Sequence, residues 1–141
     1  MGSRLERCRL IELPSKPDAR GNLSFIEGGI HIPFDIQRVY YLYDVPSGIS
    51  RGAHGHRQLE QFILAMSGSF TITLDDGIDK KTFELNKPNV GLYIPAMLWR
   101  DLNEFSSNAV CMVLASRKYE EEDYFRDYDA FVDYAHAGRE K

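Results

Sequence analysis

Short segments in which apolar residues alternate with polar ones, or run together for a few positions, repeat along most of the chain. They are rich in β-branched and aromatic residues, and turn-forming residues separate them. The segments are CRLIEL, NLSFIE, IQRVYYLYDV, LEQFILAM, GSFTITL, KKTFEL, VGLYIP and AVCMVLA. No helical periodicity interrupts them before residue 119, so the pattern predicts an all-β fold, either a sandwich or a small barrel.

The clearest turn signal lies between the segments GSFTITL and KKTFEL. Asp75, Asp76 and Gly77 stand between these two alternating runs. Asp and Gly favour tight turns, because Asp can hydrogen-bond to nearby backbone groups and Gly tolerates a positive φ. The sequence therefore predicts a β-hairpin at this position.

The spacing of apolar residues changes over about 119–136. Tyr124, Tyr128, Phe131 and Ala135 follow one another at intervals of 4, 3 and 4 residues, and acidic residues occupy much of the remainder. Such spacing places the four side chains on one face of a helix. We expect a C-terminal amphipathic helix over this range, packed on the β-barrel.

The composition is consistent with one domain. A chain of 141 residues, of which 43% are apolar and 12% aromatic, has enough apolar material for one hydrophobic core. We therefore interpret residues 1–141 as a single domain, with a β-barrel over about 8–118 followed by the helix.

Charge and cysteine content narrow the possible roles. The net charge is −4, from 17 Lys plus Arg and 21 Asp plus Glu, which argues against nonspecific binding to the phosphates of nucleic acids. Cys8 and Cys111 belong to no CxxC pair, so a disulfide scaffold and a zinc ribbon are both disfavoured. The apolar runs are too short to cross a bilayer. We expect a cytoplasmic protein with neither a nucleic acid nor a membrane as its partner.

Residues 51–61, RGAHGHRQLEQ, carry the most distinctive chemistry in the chain. His54 and His56 are two residues apart, so on a β-strand both side chains point to the same side, which in a small barrel can be the interior. Two imidazoles in one cavity, with Glu60 close by, can hold a metal ion or can transfer protons. The spacing alone leaves both possibilities open.

This stretch resembles the first motif of the cupin superfamily, a double-stranded β-helix or jelly-roll barrel. Metal-binding cupins use two His, a Glu and a third His that follows a proline in a second motif. In this chain the matching stretch is PAMLWR, and Arg100 stands where the third His would be. A guanidinium stays protonated and cannot donate a lone pair to a metal ion. The substitution favours proton transfer on an anionic ligand over a metal centre.

A narrower resemblance covers residues 20–131. The chain is similar to the dTDP-4-oxo-6-deoxyglucose 3,4-ketoisomerases, the WxcM-like sugar isomerases. The blocks that carry the similarity are RGNLSFIE, IPFDIQRVYYLYDV, RGAHGHRQLEQ, SGSFTITLDDG, KPNVGLYIPAMLWR and VLASRKYEEEDYFRDYDAF. The resemblance implies a homodimer without a metal or other cofactor. It also implies a dTDP-linked 4-keto-6-deoxyhexose as substrate, converted to the 3-keto sugar for the unusual deoxyamino sugars of bacterial surface glycans.

The reaction implied by this resemblance requires a base. Moving a ketone from C4 to C3 removes the C3 proton, passes through an enediolate and returns a proton to C4, and histidine has a suitable unperturbed pKa. We assign the carbon-proton transfer to His54, which the resemblance also indicates. His56 is expected to exchange protons with the sugar oxygens or to stabilise the enediolate. The position of Tyr40 matches a tyrosine that lies close to the sugar in the family, although a core aromatic is an equal alternative.

Further candidates concern substrate binding. Arg51 is expected to bind the diphosphate, since guanidinium groups bind phosphates bidentately; a place at the barrel rim is the alternative. One of Glu60 and Gln61 is expected to orient a histidine, although either can be a solvated strand residue. Arg126 is a candidate contact with the nucleotide, and a solvated helix face is the alternative.

Arg20 and Arg100 bear on the configuration of the product. In the family, the residues at these two positions differ between enzymes that give the gluco and the galacto 3-keto product. Here Arg20 matches one type and Arg100 matches the other, so the pattern assigns neither product. Both residues are expected to contact the substrate.

Two other classes of function compete with a metal-free isomerase. A metal-dependent cupin, such as a dioxygenase or an isomerase, would need His54, His56 and Glu60 to share an ion despite Arg100. A noncatalytic cupin that only binds a sugar nucleotide would keep the cavity without needing a base. Metal analysis separates the first class from our interpretation, and turnover separates the second.

Overall fold

The computed structural model describes residues 4–139, with side chains described up to residue 137. Within this range the chain forms twelve β-strands and one α-helix, with short 3₁₀ turns at Leu5–Arg7 and Glu121–Asp123. The strands are β1 (Arg9–Glu12), β2 (Ser15–Asp18), β3 (Gly21–Ser24), β4 (Arg38–Leu42), β5 (Arg51–His56), β6 (Gln61–Ser67), β7 (Phe70–Asp75), β8 (Lys80–Leu85), β9 (Val90–Ile94), β10 (Trp99–Asn103), β11 (Val110–Ala115) and β12 (Tyr124–Phe125), and the helix is α1 (Tyr128–Arg139). The prediction of an all-β fold with a C-terminal helix is confirmed.

Two five-stranded sheets and one separate hairpin account for the strands. The first sheet has the order β1-β9-β6-β11-β4, the second has the order β12-β5-β10-β7-β8, and β2 pairs only with β3. All of these strand pairs are antiparallel. Strands that are distant in sequence therefore become neighbours, and β5 comes to lie beside β10.

The main core lies between the two sheets. Alternate residues of facing strands supply its apolar side chains, including Ile63, Ala65, Phe70, Ile72, Leu74, Leu92, Ile94, Leu102, Cys111 and Val113. Strand β6 is buried on both faces, because Phe62 and Leu64 point away from this core into a second apolar cluster with Leu13, Ile32 and Phe34. Burial on both faces explains why β6 has a continuous apolar run instead of alternation.

The predicted hairpin is formed by β7 and β8. The two strands pair from Phe70 opposite Leu85 to Asp75 opposite Lys80. In the turn, the Asp75 side chain accepts a hydrogen bond from the backbone N–H of Gly77 at 2.7 Å, and Gly77 has a φ of 94°. The turn thus uses both properties on which the prediction was based.

The helix begins later than the sequence pattern predicts. The prediction of a helix from residue 119 is wrong for residues 119–127, because this part forms the 3₁₀ turn and β12, which pairs with β5. Asp127 ends the extended segment, and its side chain accepts a hydrogen bond from the N–H of Ala130 at 3.0 Å. This contact is an N-terminal cap, which starts α1 at Tyr128.

The apolar face of α1 packs on the outside of the second sheet. Phe131 and Ala135 are buried against Trp99 and Phe125, which confirms that the helix packs on the barrel. Among the described residues, no helix is long and apolar enough to cross a membrane.

Candidate active site

A cavity of about 410 Å³ opens at one end of the space between the two sheets. Its walls come from both sheets and from the segment after β11. They consist of Arg38, Tyr40, Leu42, Arg51, Gly52, Ala53, His54, Gln61, Ile63, Arg100, Leu102, Val113, Tyr124 and Arg126. Four of these lining residues are arginines and none is acidic, so the cavity favours an anionic ligand.

The register of β5 and β10 positions the polar residues of one wall. His54 lies directly opposite Arg100, whereas Arg51 lies opposite Leu102, so β5 has one extra residue in this interval. The extra residue forms a bulge at Gly52, which has a φ of 74°. Because directly opposed residues share a face of the sheet, the bulge turns Arg51 towards the cavity despite its odd spacing from His54.

The two histidines lie next to each other, but only one of them lines the cavity. The ring centroids of His54 and His56 are 4.9 Å apart with the planes nearly perpendicular. His54 forms part of the cavity wall, while the side chain of His56 is fully buried. The predicted pairing of the rings is therefore present, and His56 occupies a position behind the wall.

Asp123 is the hydrogen-bonding partner of His56. Its Oδ2 atom lies 3.0 Å from Nδ1 of His56, and both side chains are buried. The Nε2 atoms of His54 and His56 are also buried, and neither has a hydrogen-bonding partner among the described residues. Among the described contacts, the hydrogen bond between Nδ1 of His56 and Asp123 is therefore the one that holds this pair of rings.

The surroundings of the histidines disfavour their protonated forms. Burial, followed by the positive charges of Arg100, Arg126 and Arg38, lowers the pKa of His54 to about 3. Burial and then the charge of Arg100 also lower the pKa of His56. The near-neutral pKa expected for His54 is therefore not found. Both imidazoles are neutral at pH 7, and each keeps a lone pair for accepting a proton.

A chain of hydrogen bonds forms the floor of the cavity. Arg100 is almost completely buried, and its guanidinium donates to Oε1 of Gln61 and to the carbonyl oxygen of Leu98. The amide nitrogen of Gln61 donates to the hydroxyl of Tyr40 at 2.9 Å. Burial lowers the pKa of Arg100 to about 10, so the guanidinium stays charged at pH 7.

The same chain shows which of Glu60 and Gln61 faces the cavity. Gln61 lines it, whereas the Glu60 carboxylate accepts a hydrogen bond from the hydroxyl of Tyr93. Neither side chain has a hydrogen bond to a histidine among the described contacts, so the structure does not support the expectation that one of them orients a histidine. Burial raises the pKa of Tyr40, which keeps its hydroxyl protonated beside Gln61.

The predicted substrate-binding arginines occupy different places. Arg51 and Arg126 both line the cavity. Arg126 lies between β12 and α1 instead of on a helix face, and its guanidinium pairs with Glu121 at 2.6 Å. Arg20 lies in the turn of the β2–β3 hairpin, is largely exposed, and pairs with Asp18 at 2.8 Å. The structure does not bring Arg20 to the cavity of its own chain.

Three residues of the site were absent from the predicted set. Arg38 lines the cavity with its guanidinium over the rings of Tyr40 and Tyr119. Tyr124 lies opposite His56 in the β5–β12 pair, with ring centroids 4.4 Å apart. Asp123 lies in an acidic run that the apolar spacing assigned to a helix. The one available signal was Arg38, which precedes Tyr40 by two residues and so shares its face of the strand.

The donor atoms do not fit a metal centre of the kind that metal-binding cupins have. The carboxylate of Glu60 is engaged by Tyr93, and Arg100 lies opposite His54 with its guanidinium buried. Among residues 4–137, no three His, Cys, Asp or Glu side chains form a group that could hold an ion. A positive guanidinium beside a neutral imidazole suits an oxyanion better than a cation.

Fold and site together define a class of protein: a double-sheet β-barrel with a basic cavity that carries a histidine beside a buried arginine. Residues 6–136 match the family described as "FdtA: WxcM-like, C-terminal". The chain belongs to this family.

Individual relatives agree with this assignment. The chain is 45% identical over 126 residues to the TDP-4-oxo-6-deoxy-alpha-D-glucose-3,4-oxoisomerase of Aneurinibacillus thermoaerophilus, which covers 89% of this chain and 91% of that protein. Among solved structures, it is similar to the sugar 3,4-ketoisomerase QdtA of Thermoanaerobacterium thermosaccharolyticum in complex with TDP, with a TM-score of 0.92, 43% identity, and coverage of 95% and 98%.

A second structure of QdtA, a His-to-Asn mutant in complex with TDP-4-keto-6-deoxyglucose, is 43% identical with a TM-score of 0.90 and covers 92% of this chain and 94% of that chain. At a lower level, the rmlC epimerase of Mycobacterium tuberculosis shares the fold, at 17% identity and a TM-score of 0.70, over 83% of this chain and 66% of that one. The cupin-type fold expected from the first motif is confirmed.

Proposed function

We propose that this chain is a sugar-nucleotide isomerase that converts dTDP-4-keto-6-deoxy-D-glucose to a dTDP-3-keto-6-deoxyhexose. The observation that carries the proposal is the pairing of a neutral, cavity-lining His54 with arginines on the surrounding walls. The family and its ketoisomerase relatives support the choice of substrate. The arginines suit the diphosphate, and the imidazole suits the proton that must leave C3.

His54 acts as the base. Its neutral ring accepts the C3 proton, which the neighbouring C4 carbonyl acidifies, and the electron pair moves to give an enediolate with negative charge on the C4 oxygen. The same proton, or one exchanged with solvent, then goes to C4. The C3 hydroxyl gives up its proton to become the ketone, and the C4 oxygen takes up one proton to become the hydroxyl, so the protons balance over the reaction. One positioned base contributes about 10²–10⁴-fold to such a reaction.

Protons on oxygen need separate partners. The hydroxyl of Tyr40 lies in the cavity wall and is held by the amide of Gln61 at 2.9 Å, so it can donate to a sugar oxygen while Gln61 fixes its position. Behind Gln61, the charged Arg100 polarises this chain and favours an enediolate over a neutral ketone. Tyr40 is therefore assigned to the oxygen protons and Arg100 to the developing charge.

His56 supports the base from behind the cavity wall. Its buried ring next to His54 keeps it from reaching the sugar directly in this arrangement. We expect His56 to stabilise the enediolate indirectly, through the ring of His54. Loss of the His56 imidazole should therefore reduce turnover less than loss of the His54 imidazole.

The diphosphate is assigned to Arg51 and Arg126, with Arg38 as a third arginine on the same cavity. Binding requires Arg126 to exchange some of its contact with Glu121 for the ligand, at little cost because that ion pair is exposed. A bidentate guanidinium contact suits phosphate oxygens.

Substitution of His54 by Asn tests this assignment. Asn keeps polarity and similar size but has no basic nitrogen, so His54→Asn should lose nearly all turnover of dTDP-4-keto-6-deoxyglucose while TDP binds with wild-type affinity. Turnover is followed by NMR of the sugar and binding by calorimetry. Full turnover in the variant would transfer the role of base to another group.

A homodimer is part of the proposal. The β2–β3 hairpin pairs with no other strand, its strand residues are all exposed, and an isolated hairpin is marginally stable in water. Next to it, an apolar groove of about 620 Å³ is lined by Leu64, Met66, Met112 and Leu114 among others. A second copy would cover both features.

The same arrangement bears on Arg20. Its predicted contact with the substrate has support only if the hairpin reaches the cavity of a second copy. Light scattering at micromolar concentration measures the assembly state directly. A mass of two chains is expected, and a single-chain mass would contradict the dimer.

We propose that the protein acts in the cytoplasm. We also propose that it needs no metal or other cofactor. Cys8 and Cys111 are both free and buried, which suits a reducing compartment. A metal-dependent enzyme is less well supported because of the donor atoms described above. A noncatalytic sugar-nucleotide-binding protein would have no need for the neutral imidazole at the cavity wall.

A further inference from the structure

We propose that Asp123 is a positioning residue for the reaction: its carboxylate holds His56 in the Nδ1–H tautomer and leaves Nε2 of His56 as an acceptor beside the ring of His54. The inference rests on the proposed function, in which His54 is the base. The inference gives a role to Asp123 and His56, which are both buried and do not line the cavity.

The first observation is how firmly Asp123 is held. Its Oδ1 accepts the backbone N–H of Gln58 at 2.7 Å, and its Oδ2 accepts that of Leu59 at 3.3 Å. The backbone carbonyl of Asp123 also accepts the N–H of Arg57 at 2.9 Å. These contacts fasten the carboxylate to the loop that directly follows β5, so it moves together with the strand that carries both histidines.

The second observation is the hydrogen bond from His56. A carboxylate can only accept, so the 3.0 Å contact between Nδ1 and Oδ2 requires the proton of His56 to be on Nδ1. Burial keeps the ring neutral, and a neutral imidazole has one N–H. The Nε2 atom must then carry a lone pair. This atom is buried and has no partner among the described residues.

The third observation is the charge balance at His54. When His54 takes the C3 proton it becomes an imidazolium close to Arg100, Arg126 and Arg38, all of which disfavour it. The Asp123–His56 pair places a negative charge and a lone pair behind the ring that receives the proton. The centroids of the two rings are 4.9 Å apart, and no hydrogen bond joins the rings among the described contacts. The pair therefore acts on His54 through its negative charge and through the position at which it holds the His56 ring.

A purely structural role for Asp123 makes a different prediction. In that case the carboxylate would only tie residues 120–124 to the loop after β5, and its charge would not matter as long as the shorter backbone contact was kept. Asn at this position can still accept the Gln58 N–H through its oxygen, and it gives up only the longer contact with the Leu59 N–H. Its amide nitrogen then faces His56 and donates to Nδ1, which forces the proton of His56 to Nε2.

The test compares Asp123→Asn with Glu122→Gln, the same change of charge one residue earlier. The measurements are TDP affinity by calorimetry, kcat and KM with dTDP-4-keto-6-deoxyglucose, and the tautomer of His56 by ¹⁵N NMR. We expect Asp123→Asn to bind TDP normally, to keep KM within about threefold and to lose kcat by about 10- to 100-fold. This is the range found for residues that orient functional histidines from behind. Its His56 should become the Nε2–H tautomer, and Glu122→Gln should resemble the wild type.

Two results would overturn the proposal. One is wild-type kcat in a folded Asp123→Asn variant, and the other is an Nε2–H tautomer of His56 in the wild-type protein. The second measurement needs no variant, so it decides the matter even if Asp123→Asn does not fold. It also needs no turnover. A wild-type protein that is inactive on the substrate would therefore contradict the proposed function, while the tautomer would still test the role of Asp123.

Discussion

The diphosphate of the substrate should increase the basicity of His54. Burial and the charges of Arg100, Arg126 and Arg38 lower the pKa of His54 to about 3. A base this weak is a poor acceptor for a carbon-bound proton, because proton transfer is most effective when the pKa of the base is near the working pH. A bound anion would oppose the three arginines and raise the pKa.

The size of this effect follows from Coulomb's law. One negative charge about 8 Å from the imidazole, with an effective dielectric constant of about 20, stabilises the imidazolium by roughly 2 kcal/mol, which corresponds to a pKa increase of about 1.5. A sugar diphosphate carries about two such charges. The pKa of His54 should therefore rise by roughly 3, from about 3 to about 6.

The assay is a ¹⁵N NMR measurement of the His54 ring at about pH 5, with and without dTDP-glucose. This ligand has a hydroxyl at C4 and cannot undergo the reaction, so it isolates the electrostatic effect. The free protein should show a neutral ring, and the saturated complex should show a largely protonated one. His54→Asn identifies the resonances. A ring that stays neutral at saturating ligand would refute the reasoning.

Three further predictions concern stability and metal dependence. Folding lowers the pKa of both His54 and His56, so below about pH 6.5 the unfolded chain binds protons that the folded chain does not. The free energy of unfolding should therefore have its full value above that pH. As the pH drops, it should fall by up to about 1.4 kcal/mol per pH unit for each histidine. Urea unfolding at about pH 7 and about pH 5 measures this difference in the free energy of unfolding. A His56→Asn variant whose unfolding free energy depends on pH as strongly as that of the wild type would contradict it. Gly91→Ala should destabilise the protein by about 1–3 kcal/mol, since the new Cβ would overlap the ring of Phe62; calorimetry that finds wild-type stability would disprove this. Turnover should survive EDTA in protein purified without added metal, and one equivalent of tightly bound metal whose removal abolishes turnover would overturn that expectation.

Local pattern was sufficient to predict most of the fold. Alternation and turn chemistry predict the β7–β8 hairpin, and the continuous apolar run predicts β6. Helical spacing predicts the packing of Phe131 and Ala135. The helix start was misplaced because Tyr124 has the right spacing for the helix face, yet it pairs across to His56 on β5. A strand of two residues held by a distant partner leaves no periodicity in its own sequence.

Strand β10 illustrates the same limit. Its sequence WRDLN lacks a run of apolar residues, because Arg100 and Asp101 lie in its middle. Arg100 is tolerated in the interior since Gln61 and the carbonyl of Leu98 accept its hydrogen bonds. Gln61 belongs to β6, which is distant in sequence, so the local pattern of β10 does not indicate a strand.

The candidate site could be predicted only in part, for a related reason. His54, Tyr40, Gln61 and Arg51 were identified because motif resemblance or residue chemistry singles them out, and the structure places all four on one cavity. Asp123 could not be identified, since nothing distinguishes it from the neighbouring carboxylates except its distant contact with His56. Both histidines were expected to face the cavity, but only His54 lines it. His56 is fully buried, and its burial depends on the pairing of the short β12 strand with β5.

The central claim is that this protein moves a ketone between C4 and C3 by proton transfer through His54. The most direct test incubates the wild type and His54→Asn with dTDP-4-keto-6-deoxyglucose in deuterated water and follows the sugar by NMR. The account predicts a 3-keto product from the wild type, with deuterium at C3 or C4 when the base exchanges its proton with solvent, and neither product nor exchange from the variant. A variant that forms the 3-keto sugar at the wild-type rate, or a wild type that leaves the substrate unchanged, would contradict it.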